Sequence, residues 1–358
     1  MNEIGIRAAT IEDIAAECRL TKMTVSRALT GKGAVASDTR RRVLQTAERL
    51  KYEPNLHARS LSKGQSDLIL LFSPVTLPGV HFQTVERMQI LLKSHGYEVP
   101  YYGFLALHFS EPAEQAKKLR AVRELRPRAI VCRTVELRDS ALREMERYVE
   151  LGGILVCYGH PTESPIDQVV IDYEGMAYQS ASHLLELGHR DIGFFSAGLH
   201  WWWDRRLAGF SRALREKGME VREEWLFDGP SYEAGGELLA ERFLALPQRP
   251  TGMVVVNDVA AGAFISTISR AGVRVPGDVS VVGHDDAPCA RFCQPALTTI
   301  RHPVETIAQN VVAMLLERLD GIAVGAPRRQ IAQGELVVRE SSDAPKNCRL
   351  TIRGDYNA

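Results

Sequence analysis

The chain has 358 residues, 45% hydrophobic and 25% charged, with 44 Lys+Arg against 44 Asp+Glu and a formal net charge of zero. This composition excludes a disordered polyelectrolyte, and the length, at about 150 residues per domain, predicts two or three domains with cores of their own. No apolar run approaches the ~20 residues of a membrane helix, and the N-terminus lacks the basic and apolar regions of a signal peptide. The six cysteines include no Cys-x-x-Cys pair, so reduced thiols and a cytoplasmic location are expected.

The zero balance conceals an asymmetry. Residues 1–64 hold 12 Lys/Arg against 7 Asp/Glu, a net of +5, and the remaining 294 residues hold 32 against 37, a net of −5. A basic head on a mildly acidic body fits a polyanion partner for the head, and equally a solvated charged face.

A first helix is predicted from Thr10, which can cap it, with Glu12 and Asp13 in the first turn and Ile11, Ile14 and Ala15 on one face. It stops near Cys18-Arg19. Thr21 can cap a second helix through Val25, Ala28 and Leu29, ended by Gly31 and Gly33. A third starts after Ser37, with Val43, Leu44, Ala47 and Leu50 on one stripe. Two short helices joined by a tight turn form a helix-turn-helix, whose second helix carries Lys22, Met23, Thr24, Ser26 and Arg27 outward. Such residues suit base edges and phosphates. Pattern alone leaves a DNA reader and a three-helix interaction module both open.

The strings Thr10-Ile11-x-Asp13-Ile14-Ala15, Thr24-Val25-Ser26-Arg27-x-Leu29, Gly31-Lys32, Thr39-Arg40 and Tyr52-x-Pro54-Asn55-x-x-Ala58-x-x-Leu61 closely resemble the LacI/GalR family of bacterial transcription regulators. The resemblance continues to about Ser342. It implies that Lys22, Met23 and Arg27 read the major groove, and that Thr21, Thr24 and Ser26 cap the helix and touch phosphate. Residues 55–62 match the family's hinge helix, with Asn55 and Ala58 at the DNA and Leu61 as a minor-groove wedge that unstacks a base step. A helix this short is too marginal to persist alone, so its order should depend on DNA and on a second hinge. One departure is Arg19-Leu20, where the family usually has Gly followed by Val. If the turn is unchanged, Arg19 carries strain of about 1 kcal/mol; Arg19 could also add a phosphate contact.

From Asp67 onward short apolar strands alternate with helices. Strands are predicted at 68–72, 97–102, 129–132, 154–158, 168–171, 192–196, 225–228, 253–256 and 279–283. Helices are predicted at 86–95, 114–125, 142–151, 175–187, 205–217, 233–246, 259–271 and 304–319. This alternation means parallel sheets wrapped by helices, and the number of strands points to two α/β subdomains. Ligands in such folds sit beyond the carboxyl ends of strands.

The resemblance implies an N-terminal all-α helix-turn-helix domain (1–54), a hinge helix and linker (55–65) and a two-lobed effector-binding and dimerisation domain (66–342). The last is a periplasmic-binding-protein-like α/β core of two parallel-sheet subdomains, with crossings near 158–168, 296–301 and 321–330. Residues 343–358 read as a loose tail. Arg206, Asn257 and Asp285 follow strand ends and, by resemblance, contact an effector. A sugar's vicinal hydroxyls can accept from Arg and Asn and donate to a carboxylate. The bland alternative has Asp258 and Asp286 capping helices and Arg206 paired with one of them. In the Trp201-Trp202-Trp203 run, expected in a loop at the cleft mouth, Trp203 is the candidate to stack on ligand, with Tyr232 a further one. The segment Ser73–Phe82 is more apolar than the family's usual loop, so the ligand is less polar on that side or the loop is reshaped. His284, Asp285, Asp286, Cys289 and Cys293 cluster tightly enough to raise a metal site, but the resemblance places Asp285 at the effector and isolated thiols are often core packing, so no metal site or cofactor is expected. The histidines have no evident partner and read as packing or surface residues.

The expected function is a ligand-responsive, sequence-specific transcriptional repressor of a carbohydrate-utilisation operon. As a homodimer it would place two reading heads on a near-palindromic operator, with a sugar or sugar derivative as effector. The alternatives are a regulator responding to a purine or nucleoside and a solute-binding protein of the same core fold. An enzyme is not expected, because no nucleophile elbow, Walker A or zinc-protease pattern is present.

Overall fold

The computed structural model describes residues 9–346, except 32, 54–67, 76–78, 98, 106–111, 135–136, 138 and 198–200. The chain divides into two compact units at Asp67/Leu68.

In the first unit, α1 (Ile11–Cys18), α2 (Lys22–Thr30) and α3 (Ser37–Arg49) follow the local signals. Thr10 and Asp13 close a capping box: the Thr10 hydroxyl accepts from the Asp13 N–H at 3.3 Å, and the Asp13 carboxylate accepts from the Thr10 N–H at 2.8 Å. Thr21 caps α2, and Gly31 ends it in the left-handed region at φ 72°. The core is Ile14, Ala15, Cys18, Val25, Ala28, Val43 and Ala47. Leu44 does not join it: at 47% exposed it lies off the stripe, one helical step (about 100°) round from buried Val43, and Thr46 is buried instead.

Arg19 keeps the turn's left-handed conformation at φ 49°, ψ 48°, with the Leu20 N–H donating to the Ala15 carbonyl at 2.9 Å. A side chain therefore sits where glycine is unstrained. Arg19→Gly is expected to raise the reading head's stability by about 1 kcal/mol, read as a higher urea midpoint. An unchanged or lower midpoint would show that the arginine relieves its own strain.

In the second unit the strands are β1 (Ile69–Val75), β2 (Tyr101–Leu105), β3 (Ala129–Arg133), β4 (Ile154–Gly159), β5 (Asp167–Ile171), β6 (Ile192–Ala197), β7 (Leu226–Gly229), β8 (Gly252–Val255), β9 (Ser280–Asp285), β10 (Thr298–Arg301), β11 (Arg329–Ala332) and β12 (Glu335–Val337). The helices are α4 (Val80–Ser94), α5 (Pro112–Glu124), α6 (Asp139–Glu150), α7 (Tyr173–Glu186), α8 (Trp201–Glu216), α9 (Tyr232–Ala245), α10 (Asp258–Arg270), α11 (Cys289–Phe292) and α12 (Val304–Leu319). Among the described residues they build two six-stranded sheets, ordered β11-β5-β4-β3-β1-β2 and β12-β10-β9-β8-β6-β7. All neighbours are parallel except β12 against β10. Pleat alternation splits each sheet's core: Ile69 and Leu71 face α4 and α12, while Leu70 and Phe72 face α5 and α6.

The predicted crossings are displaced. Residues 158–168 join β4 to β5 within one sheet, and residues 298–301 are strand β10 itself. The chain leaves the first sheet after β5, returns through α12 after β10, and crosses last between Ala332 and Glu335. Helix α7 spans the seam, giving Tyr173 and Met176 to the first core and Ala181, Leu184 and Leu185 to the second. Strand β2 begins later than predicted, after Pro100, whose carbonyl still accepts from the Leu71 N–H. The start of the expected tail is pinned. The Ser280 hydroxyl and His189 Nε2 both bond the Asp343 carbonyl at 2.9 Å, and Ser341 is fully buried.

Candidate nucleic-acid interface and ligand site

The first two turns of α2 present the predicted reading residues. Its inner face buries Val25 and Ala28, which leaves Lys22, Met23 and Arg27 exposed and Thr24 and Ser26 half-buried. Met23, a large apolar side chain, is 63% exposed, a cost that contact with a base edge would remove. The Thr21 hydroxyl accepts from the Thr24 N–H at 3.2 Å. Lys22 is held by Glu12 of α1, which lowers that carboxyl's pKa; an exposed pair of this kind is weak and readily exchanged for phosphate. Asn55, Ala58 and Leu61 lie outside the described residues.

In the second unit the strand ends converge on a polar site. Asp285 ends β9 at φ 117°, and its carboxylate forms no ion pair with a described residue. Arg206, 8% exposed on α8, lays its guanidinium over the Tyr173 ring at 4.7 Å and makes no hydrogen bond to a described residue. The bland pairing expected for it does not occur. Asp258 instead accepts from the Thr299 hydroxyl at 2.5 Å and the Ala287 N–H at 2.7 Å, and Asp286 pairs with Arg301 and Arg339. Burial lifts the Asp285 carboxyl to about 7 against the opposing pull of Arg206 and Arg133. Asn257 caps α10, its side-chain oxygen accepting from the Ala260 N–H at 2.8 Å, while its amide N–H groups meet no described partner.

One expectation is corrected. The tryptophan run forms the first turn of α8, not a loop, and Trp203 packs edge-on against Phe194 at 5.5 Å, on the second core. The ring fills core space because α8 starts there and turns that position onto the sheet. Tyr232 opens α9 after the edge strand β7, at φ 64°, several strands away from Asp285.

Sequence reasoning missed most of the site. Arg133 ends β3 and is 4% exposed; it donates to His81 Nε2 at 3.0 Å. His81 stands edge-on to His302 at 5.4 Å, and His160 stands edge-on to Tyr173 at 6.2 Å. Burial, with the Arg206 charge on all three and the Arg133 charge on His160 and His302, pushes His160, His284 and His302 down to about 3, so these imidazoles are neutral. These histidines are a shared cluster rather than separate packing residues. The available signal was position: Arg133, His160, Asp285 and His302 all end or directly follow parallel strands. A cavity of about 540 Å³ opens here, lined by Asp285, Asp286, Arg301 and His302 with Arg87 and Glu305 farther out. Among the described residues no three His, Cys, Asp or Glu side chains group as metal ligands.

The comparisons agree with this division. Residues 10–55 match the lacI family of bacterial regulatory proteins, and residues 181–342 match a periplasmic binding protein-like domain. The HTH-type transcriptional repressor PurR of Pectobacterium carotovorum subsp. carotovorum (strain PC1) is 30% identical over 318 residues, 87% of this chain and 90% of that protein. PurR of Mannheimia succiniciproducens is 29% identical over 338 residues, 93% and 98% of the two chains. Among solved structures, the lac repressor dimer bound to operator and the anti-inducer ONPF shares the fold with a TM-score of 0.81 at 24% identity, covering 94% of this chain and all of that one. A CelR–cellobiose complex superposes at 0.69, also at 24% identity, covering 93% of this chain and all of that one. With the capped reading helix, the two-sheet core and a relative of 30% identity along most of its length, the chain belongs to the LacI family of DNA-binding transcriptional repressors.

Proposed function

We propose that this repressor binds a near-palindromic operator as a homodimer through α2 and the 55–65 hinge, and that a small-molecule effector seated between Arg206 and Asp285 sets its DNA affinity. The observation that carries the effector reading is a buried guanidinium and a carboxylate that, among the described residues, have no hydrogen-bond partner and no ion pair respectively: a donor and an acceptor left for a ligand. A polyhydroxylated sugar derivative supplies both complements. A purine also does, and that second reading is favoured by the name PurR borne by relatives along most of this chain. The ligand can shift DNA binding only by its differential affinity for the two states.

Electrophoretic mobility shift with a palindromic operator tests the DNA side. Arg27→Ala is expected to weaken binding by about ten- to a hundredfold, the 1–3 kcal/mol of a base-edge contact. Leu61→Ala should weaken it by loss of the wedge. Parent-like affinity in both variants would sink the assigned reading surface. Melting-temperature screens with sugars and nucleobases separate the two effector readings.

A further inference from the structure

Elsewhere in the second unit, arginines pair up on shared carboxylates. Arg318 and Arg328 share Asp167, and Arg301 and Arg339 share Asp286. Arg133 and Arg206 depart from this rule. Each is more than nine-tenths buried, neither comes within ion-pair distance of a described carboxylate, and the Nε of each has no described hydrogen-bond partner. Arg133's one described hydrogen bond goes to His81, and a guanidinium can only donate, so His81 accepts through Nε2 and brings no countercharge. His284 and His302 add neutral rings, and the buried Nε2 of His302 also lacks a described partner. Asp285 is the one described carboxylate facing both arginines that is not already committed to other groups. Two buried cations thus face at most one described anion, Asp285, which also lines the cavity.

Burying a charge without a partner is costly, so a ligand that supplies the missing charge gains more here than an uncharged one. A neutral sugar or purine would satisfy hydrogen bonds but leave a guanidinium uncompensated. We propose that the effector of this site is a small organic anion, a carboxylate or phosphate on a hydroxylated body, with the anionic group held by Arg133 and Arg206 and a hydroxyl donating to Asp285. The proposal rests on the Arg206–Asp285 effector reading and narrows it to one class of charge.

The test uses the full chain, melted at constant ionic strength with inorganic phosphate, acetate, glucuronate and glucose 6-phosphate, against uncharged glucose and hypoxanthine. The expected result is a concentration-dependent rise in Tm with a phosphate or a carboxylate probe, at least about tenfold tighter than with either neutral probe. Which probe acts separates the two sources of charge. The rise should persist in Arg215→Ala, which removes an exposed cation of the same unit, and vanish in Arg133→Met. Because Arg133→Met deletes an uncompensated charge, its ligand-free Tm should not fall below the parent's; a marked fall would make Arg133 a structural group and overturn the proposal. It is overturned equally if no anion raises Tm, if glucose or hypoxanthine does so as well as the anions, or if the rise survives Arg133→Met. Should a neutral probe stabilise the parent but not Arg206→Gln or Asp285→Asn, the effector site stands and only its charge class falls. Stabilisation that survives both of those variants would remove the site itself.

Discussion

Acidification from pH 7.5 to pH 5 is expected to cost an Asp285→Asn variant about 4 kcal/mol of folding free energy through His284 and His302, and the parent only about 1–2 kcal/mol. Both histidines are buried, at 1% and 5% exposure, and both are pushed down to about 3 by burial and by the Arg206 charge, with Arg133 acting on His302 as well. The folded chain keeps them neutral while the unfolded chain protonates them below about pH 6.5, so stability falls as the pH drops from there toward 3. Asp285 works the other way. Its folded carboxyl titrates at about 7, so between about 7 and 4 the folded chain takes up a proton that the unfolded chain does not, which offsets about 2–3 kcal/mol of the loss. Asparagine removes that offset. His81 and His160 are present in both proteins and move both curves alike, whereas Asp258, raised by burial and then by the Asp285 charge, loses part of that rise in the variant and so adds to the difference. Urea unfolding of parent and variant at the two pH values measures the difference, and parallel pH slopes would disprove the compensation.

Replacing Gly209 with alanine is expected to destabilise the core by about 3 kcal/mol, the upper range for overpacking, and to weaken effector binding with it. A Cβ at this position would stand 1.9 Å from the Glu174 carbonyl oxygen and 2.8 Å from its carbon. That obstacle is the backbone of α7, which cannot swing aside as a side-chain tip does, so α7 and α8 must separate. Arg206 lies one turn earlier on α8 and Tyr173 opens α7, so the separation also breaks the guanidinium–ring stack. Gly272→Ala is the control. Nothing lies within 4 Å of its Cβ, and its φ of +84° costs only about 1 kcal/mol of strain. Equal urea midpoints for the two variants would mean that the helix contact yields more easily than its geometry implies.

The reading head was legible almost residue by residue because its signals are local. Thr10 and Asp13, Thr21 and Thr24, and Gly31 each act within one turn of the chain. Leu44 misled because an apolar side chain next to the stripe reads like part of it, and only the packing of α3 shows which face is covered. In the second unit the interior strands announced themselves as apolar runs. Strands β10, β11 and β12 did not: they are three or four residues long, and β11 exposes Arg329, Gln330 and Ile331. Without them the crossings were set too early.

What the sequence determined by itself is therefore the local grammar: capped helices, alternating strands and helices, a basic head on an acidic body, and three polar residues, Arg206, Asn257 and Asp285, after strand ends. The tertiary structure alone decided that Arg133 from β3, His81 from α4, His160 after β4 and His302 after β10 meet around Arg206 and Asp285, and that Trp203 turns toward Phe194 instead. The reason is physical. A cap is enforced by atoms three residues apart. A buried charge cluster exists only where distant strand ends, aligned by parallel pairing, exclude water together, and no periodicity along the chain encodes that meeting.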